Sequence, residues 1–117
     1  MAHNCVLIDG GQQALSGAGL GTNGTITGFE DTPALGWVRA DCTEAYQHNN
    51  AGRAGVGVRW ARRDGLFARP SDGAPAYAAV LDDIRKDDAE HDYTWLLHTP
   101  PGHHVALPPG GALIQPT

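Results

Sequence analysis

Six histidines are the residues of this chain best suited to bind a metal or move a proton, and their spacing decides what they could do together. His103 and His104 are neighbours, and His91 lies an odd number of positions before His98. Successive side chains of a strand point to opposite faces, so within strands neither pair could share a metal ion. Local spacing therefore predicts no complete metal site, and any such site would need residues that are distant in the sequence.

Neighbouring carboxylates are a second candidate for chemistry, and they occur at Asp82-Asp83 and at Asp87-Asp88. On a strand the two members of each pair face opposite sides, so neither pair is placed for general acid–base catalysis. Turn-forming and solubilising roles are favoured instead. Tyr46, Tyr77 and Tyr93 lie in apolar segments and are interpreted as core residues, so no catalytic base is assigned to this chain.

A basic strip surrounds one tryptophan in the middle of the chain. Arg59, Arg62 and Arg63 flank Trp60, and this combination could bind an anionic polysaccharide through charge and aromatic stacking. These four residues are the candidate substrate-binding residues. The alternative is a solvated strand face, with the three tryptophans of the chain packed in its core.

Length and composition predict a single domain over residues 1–117. A chain of this size has room for one core. Acidic residues outnumber Lys and Arg by thirteen to eight, which argues against nucleic acid as a partner. No stretch approaches the roughly 20 apolar residues of a membrane helix, and the start shows no signal peptide, so no membrane contact is expected. Cys5 and Cys42 could form one disulfide or remain buried thiols.

The elements that must position these side chains are short. Sixteen glycines and eight prolines divide the chain into segments rich in β-branched and aromatic residues, and no window keeps a 3.6-residue period. This pattern predicts an all-β fold, an antiparallel β-sandwich of about eight to nine short strands, with a hairpin turn at Asp64-Gly65. The predicted strands are residues 4–9, 25–30, 37–46, 55–63, 66–69, 77–84, 91–99, 105–107 and 112–114.

One segment resembles a known family. Ala2-His3-Asn4-Cys5-Val6-Leu7-Ile8-Asp9-Gly10, followed by Gln12, resembles the A-H-N-T-V-x-x-D-G-x-x-Q strand of the heparinase II/III family of polysaccharide lyases, with Cys5 replacing threonine. Further pieces follow in the family's order over residues 2–99: Gly24-Thr25-Ile26 with Phe29, Ala40-Asp41 with Ala45-Tyr46, Arg63 with Leu66-Phe67, Leu81-Asp82-Asp83, and Tyr93-Thr94-Trp95-Leu96-Leu97-His98-Thr99. The first motif is fairly specific and the last moderately so.

The resemblance implies that the chain is a truncated part of a larger sandwich. The family packs an N-terminal helical toroid against a C-terminal β-sandwich and cleaves uronic-acid polysaccharides by β-elimination. Its catalytic Tyr and His groups come largely from the toroid, which implies a chain inactive alone, with the missing toroid domain as partner and an anionic polysaccharide as substrate. A periplasmic or secreted location is also implied. Truncation would leave open sheet edges and apolar surface, so self-association is expected.

The resemblance also implies a remnant of a zinc site. The family's sandwich holds zinc through two His and an Asp, and His3 matches the third of these ligands. The first two would lie upstream of Met1, and zinc in an open site needs three protein ligands, so the implied site is incomplete. His98 belongs to the last motif, but no role follows for it. The alternative functions are a free-standing carbohydrate-binding module for anionic glycans and an interaction domain without a sugar ligand.

Overall fold

Short apolar segments form eight strands and one helical turn in the computed structural model, which describes residues 4–13, 24–47, 56–71 and 73–115. The elements are β1 (Val6–Ile8), β2 (Thr25–Asp31), β3 (Leu35–Asp41), α1 (Thr43–Gln47), β4 (Trp60–Ala68), β5 (Tyr77–Arg85), β6 (Tyr93–Trp95), β7 (His104–Ala106) and β8 (Leu113–Gln115). Every strand pair is antiparallel. The prediction of an all-β antiparallel fold with about eight short strands is therefore confirmed.

The strands of the described residues form three sheets. The largest is a four-stranded sheet in the order β2-β3-β4-β5, and two-stranded sheets join β1 to β6 and β7 to β8. The pairing of β2 with β3 slips between Ile26 and Gly28, which marks a bulge. Gly28 leaves space for an aromatic ring, because a Cβ there would lie 2.6 Å from the indole carbon Cη2 of Trp37.

The register divides the four-stranded sheet into two faces, since opposed residues of an antiparallel pair share a face. We call the face that meets β1 the inner face and the other the outer face. The inner face carries Ala61, Arg63, Asp82, Ile84 and a row across all four strands made of Phe29, Val38, Gly65 and Val80. The outer face carries Trp37, Arg39, Trp60, Arg62, Asp64, Leu81 and Asp83.

The core lies where the β1–β6 sheet covers the inner face. Ile8 has no exposed surface and packs with Tyr46, Val58 and Ala61, and Ile84 packs against this cluster. The chain thus builds two layers, as in a sandwich, but within the described residues the upper layer over this face has only two strands. Phe29, further along the same face, is 72% exposed.

The hairpin predicted at Asp64-Gly65 is wrong, because β4 runs without a break through both residues. Asp64 accepts hydrogen bonds from the Trp37 indole and from Arg39 on the neighbouring strand. Gly65 lies opposite Val38, and a Cβ at this position would lie only 3.3 Å from Val38 Cγ1. Pairing on both sides of β4 therefore overrides the local turn signal.

The third predicted strand, residues 37–46, is too long. β3 ends at Asp41, whose Oδ1 accepts a hydrogen bond from the backbone N–H of Thr43 at 2.9 Å. This local bond turns the chain into α1, as Asp side chains often do at helix starts. The Thr43 hydroxyl accepts a hydrogen bond from the Ala61 backbone N–H at 3.0 Å, which docks the helix on β4.

Two other sequence interpretations need correction. Tyr77 and Tyr93, interpreted as core residues, are 62% and 45% exposed, and Trp95 is 50% exposed. The predicted strand over residues 91–99 is regular only over β6. Within the described part of the chain, no helix has the length and apolar character needed to cross a membrane.

Candidate functional site

The two most specific motifs of the resemblance lie side by side. β1, from the first motif, pairs with β6, from the last, so that Val6 is opposite Trp95 and Ile8 is opposite Tyr93. The backbone N–H of Leu96 donates to the Cys5 carbonyl at 2.9 Å and extends this ladder. Segments that are about 90 residues apart in the sequence therefore form one sheet.

Asn4 links the two motifs through its side chain, in addition to the backbone pairing of β1 with β6. Its side-chain Oδ1 accepts a hydrogen bond from the backbone N–H of His98 at 2.6 Å. The same oxygen lies 3.2 Å from Nδ1 of the His98 ring, which can donate a second bond when that nitrogen carries a proton. The structure thus shows a contact for His98, for which no role follows from the sequence.

On the inner face, Arg63 of β4 hydrogen-bonds to β5 and to the segment that precedes β1. Its Nε and Nη2 donate to the two carboxylate oxygens of Asp82 at 2.6 and 2.9 Å. Its Nη1 donates to the Asn4 carbonyl at 2.7 Å. Asp82 raises the pKa of the guanidinium. The Arg63 and Asp82 side chains are 31% and 18% exposed, so this fork is partly shielded from water.

Tyr46 attaches α1 to β1. The side chain is only 2% exposed, and its hydroxyl donates to the Val6 carbonyl at 2.7 Å. Burial raises the pKa of Tyr46 to about 12. The phenol is therefore a protonated hydrogen-bond donor at neutral pH and is unsuited to act as a base. The interpretation of Tyr46 as a core residue is confirmed.

A pocket of about 190 Å³ lies between these groups. It is lined by Asn4, Cys5, Gln13, Cys42, Tyr46, Ala61, Arg62, Arg63, Asp82 and Ile84. Both cysteines are free, and burial raises the pKa of each thiol, so neither is an activated nucleophile. The pocket is smaller than the roughly 300–1,000 Å³ of typical small-molecule sites. Its chemistry is that of a hydrogen-bonded structural centre.

The four predicted substrate-binding residues do not share one face. Trp60 and Arg62 lie on the outer face, with the Arg62 guanidinium carbon 6.0 Å from the indole centroid. Arg63 lies on the inner face, and Arg59 precedes β4 and binds Asp88 with both Nη atoms at 2.9 and 2.6 Å. Arg62 has the longest ion pair of the three arginines, 3.7 Å from Arg62 Nε to Asp41.

The predicted metal ligand His3 lies outside the described residues. Among the residues that the structure does describe, no group of three or more His, Cys, Asp or Glu side chains could hold a metal ion.

A second cluster fastens the loop after β5 to the end of β1. His91 lies between two carboxylates, with Nδ1 2.9 Å from Asp9 Oδ2 and Nε2 2.8 Å from Asp87 Oδ1. Lys86 Nζ also donates to Asp9 Oδ2 at 2.7 Å. Ionised carboxylates only accept hydrogen bonds, so both His91 contacts are hydrogen bonds only when the ring is doubly protonated. The side chain is 11% exposed, which favours a structural role.

This cluster predicts a pH-dependent stability. Asp87, then Asp9, raises the pKa of His91, whereas Lys86, then the Asp92 N–H, lowers that of Asp9 to about 2. The His91 contribution is full below its unfolded pKa of about 6.5 and is lost as pH rises through the folded value. The Asp9 contribution is full above about pH 3.9 and is lost as pH falls towards 2. The cluster is therefore most stabilising between about pH 4 and 6.5.

We expect His91→Gln to lower the urea midpoint more at about pH 5.5 than at about pH 8.5, because the ring is charged at the lower pH and loses charge as the pH rises through its raised pKa. The matched control is His104→Gln, at an exposed position of β7. An equal loss at both pH values would show that His91 acts without its charge.

Comparisons of the chain with family models, with curated proteins and with solved structures found no match. Any assignment of function to this chain consequently depends on its own residues and on how they are placed.

Proposed function

We propose that this chain is the β-sheet portion of a heparinase II/III-type polysaccharide lyase, which cleaves uronic-acid polysaccharides by β-elimination, and that it is inactive alone. One observation carries the proposal. Residues from five separate motifs of the resemblance meet around the start of β1: Asn4, Tyr46, Arg63, Asp82 and His98. Each of these residues makes a hydrogen bond that holds β1 or its flanking residues in place, so the motifs that resemble the family serve one structural purpose here.

Inactivity alone follows from what β-elimination requires. A base must come within about 3 Å of the proton beside the uronate carboxyl group, and positive charge must stabilise the resulting enolate-like intermediate. Tyr46 is buried and its hydroxyl donates a hydrogen bond to the Val6 carbonyl, and the Arg63 guanidinium binds the Asp82 carboxylate and the Asn4 carbonyl. These groups support the fold, so in this proposal the catalytic groups belong to a toroid domain such as the family has.

The inner face offers a surface on which that domain could pack. Phe29, Phe67 and Val80 are 72%, 48% and 52% exposed on this face. Phe29 and Val80 end one row across the sheet, with Val38 and Gly65 between them, and Phe67 lies two residues further along β4. Monomeric proteins rarely leave large contiguous apolar patches in water, and such patches mark interaction sites. The outer face, with Trp60 beside Arg62, is the part of the basic strip that could meet an anionic polysaccharide.

A chimera tests the proposal. Residues 2–99 of this chain would replace the corresponding segment of an active heparinase II/III-type lyase. We expect the chimera to form the unsaturated uronate product, followed by its ultraviolet absorbance, and the chain alone to form none. Zinc per chain, measured in the chimera and in its His3→Ala variant, tests His3 separately: we expect zinc to be bound and to be lost in the variant.

The control is a chimera that carries an unrelated β-sandwich of similar length. A folded chimera with residues 2–99, shown by a cooperative thermal transition, that forms no product would contradict the proposal. Product formed by the chain alone would contradict the statement that it is inactive alone.

A further inference from the structure

β5 forms a long, regular edge of the four-stranded sheet. All nine residues of Tyr77–Arg85 have a partner on β4, and the register does not slip anywhere along the pair. Among the described residues, β5 pairs with β4 alone, so its other side presents backbone N–H and C=O groups. Such an edge is a template for another strand.

The other edges of the described sheets carry the features that discourage pairing. β2, at the opposite end of the same sheet, contains the bulge between Ile26 and Gly28. The strands of the two smaller sheets have three residues each. Bulges, short lengths, prolines and charged side chains are common protections of sheet edges. β5 has neither a bulge nor a proline, and its charged residues, Asp82, Asp83 and Arg85, all lie in the second half of the strand.

We propose that two copies of this chain join edge to edge through antiparallel pairing of β5 with β5, with the two-fold axis at Leu81. In this register all nine residues of each strand are paired. The opposed pairs are Leu81 with Leu81, Val80 with Asp82, Ala79 with Asp83, Ala78 with Ile84, and Tyr77 with Arg85, where the second residue of each pair belongs to the other copy.

Length and charge select this register over its neighbours. Moving the axis to Val80 would leave Ile84 and Arg85 without partners in β5 of the other copy. Moving the axis to Asp82 or to Asp83 would oppose two identical carboxylates, which is unfavourable. With the axis at Leu81, both acidic residues oppose apolar or small side chains, and Arg85 meets the ring of Tyr77. Within each copy, moreover, Asp82 already accepts hydrogen bonds from Arg63, and Asp83 accepts one from the Trp60 indole at 2.8 Å.

The faces of the sheet also favour this register. Residues directly opposite one another point to the same side, so an axis at one residue keeps the two inner faces together in one eight-stranded sheet. An axis between two residues would instead place the apolar inner face of one copy beside the polar outer face of the other. Pairing at Leu81, which is 66% exposed, therefore covers apolar surface without mixing the faces.

Cross-linking at the axis tests the register. In Leu81→Cys the two introduced thiols would be opposed, and opposed Cα atoms of an antiparallel pair lie about 4.5–5.5 Å apart, within disulfide range. Added hydrogen peroxide oxidises the two thiols to a disulfide and is itself reduced to two water molecules. We expect a covalent dimer on a non-reducing gel. Ala79→Cys is the register control, because its thiols would be about 13 Å apart along the strand and should not cross-link.

The size in solution tests the dimer without added cysteines. We expect the wild-type chain to elute as a dimer at micromolar concentration, and Leu81→Lys, which opposes two ammonium groups at the axis, to weaken association by about tenfold or more. A monomeric wild-type chain, or cross-linking of Ala79→Cys as efficient as that of Leu81→Cys, would overturn the proposal. Wild type exposed to peroxide controls for Cys5 and Cys42. The dimer does not depend on the lyase function, so each can fail separately.

Discussion

Replacing Arg63 by alanine is expected to lower the free energy of unfolding by about 2 to 3 kcal/mol. Among the described side chains, only Arg63 hydrogen-bonds both to β5, through Asp82, and to the segment before β1, through the Asn4 carbonyl. Its loss would leave the Asp82 carboxylate, 18% exposed, without its bidentate partner. A buried pair that loses one member costs about 3 to 5 kcal/mol, and the partial exposure of Arg63 reduces this figure. Urea unfolding followed by circular dichroism measures the change.

Arg62→Ala is the matched control for Arg63→Ala. Arg62 is the adjacent residue on the opposite face, its side chain is 48% exposed, and it lies 3.7 Å from Asp41. Exposed pairs of this kind contribute about 0 to 1 kcal/mol, so we expect a loss below about 1 kcal/mol. In a double-mutant cycle, Arg63→Ala with Asp82→Ala should cost less than the sum of the two single changes. Equal losses in Arg62→Ala and Arg63→Ala would contradict the assignment of the bridge to Arg63.

The fold class follows from signals that are local in the sequence. Glycine and proline mark the turns, and the absence of a 3.6-residue period excludes long helices, so an all-β chain of short strands could be predicted. The last two strands of the chain show how closely local signals predict strand positions. Segments predicted at residues 105–107 and 112–114 are displaced by one residue from β7, His104–Ala106, and β8, Leu113–Gln115.

Pairing between strands could not be predicted in the same way. Asp-Gly is a strong turn signal by itself, but at Asp64-Gly65 neighbours on β3 and β5 hold the backbone extended. The exposure of Tyr77 has the same origin, since an apolar segment in the sequence does not show whether another layer covers it. Burial in a sheet depends on which strands lie above it, and that information is not local.

The candidate site illustrates the same limit. The sequence identified Arg63 as part of a basic strip that could meet an anionic ligand. In the fold its charge faces Asp82, 19 positions away, and its third contact is the carbonyl of Asn4, 59 positions away. The signal for this bridge is that two neighbouring arginines, Arg62-Arg63, and two neighbouring aspartates, Asp82-Asp83, fall on adjacent strands. Pairing Arg63 with Asp82 from this signal requires the β4–β5 register.

Replacing Ile8 by alanine is expected to have the largest effect on stability, a loss of about 3 to 4 kcal/mol. Ile8 is the only described large side chain without exposed surface, and it joins the β1–β6 sheet to Tyr46, Val58 and Ala61. Domains of ordinary size have about 5 to 15 kcal/mol in total, so this loss would be a large part of it. With so few buried residues around it, the cavity has few neighbours that could fill it. A drop of more than about 10 °C in the thermal midpoint is expected.

Ile26→Ala is the control for Ile8→Ala, because it makes the same substitution at an exposed position. It removes the same atoms from an isoleucine that is 63% exposed on β2, so a loss below about 1 kcal/mol is expected. α1 and β4 contact β1 through this core, so Ile8→Ala should also expose Tyr46. The fluorescence of Tyr46 and the protection of the Val6–Ile8 amides from hydrogen exchange should then fall together. If Ile8→Ala cost no more than Ile26→Ala, the β1–β6 sheet would not be fastened to the larger sheet through Ile8, and the hydrogen bonds of Arg63 and Tyr46 would have to hold it alone.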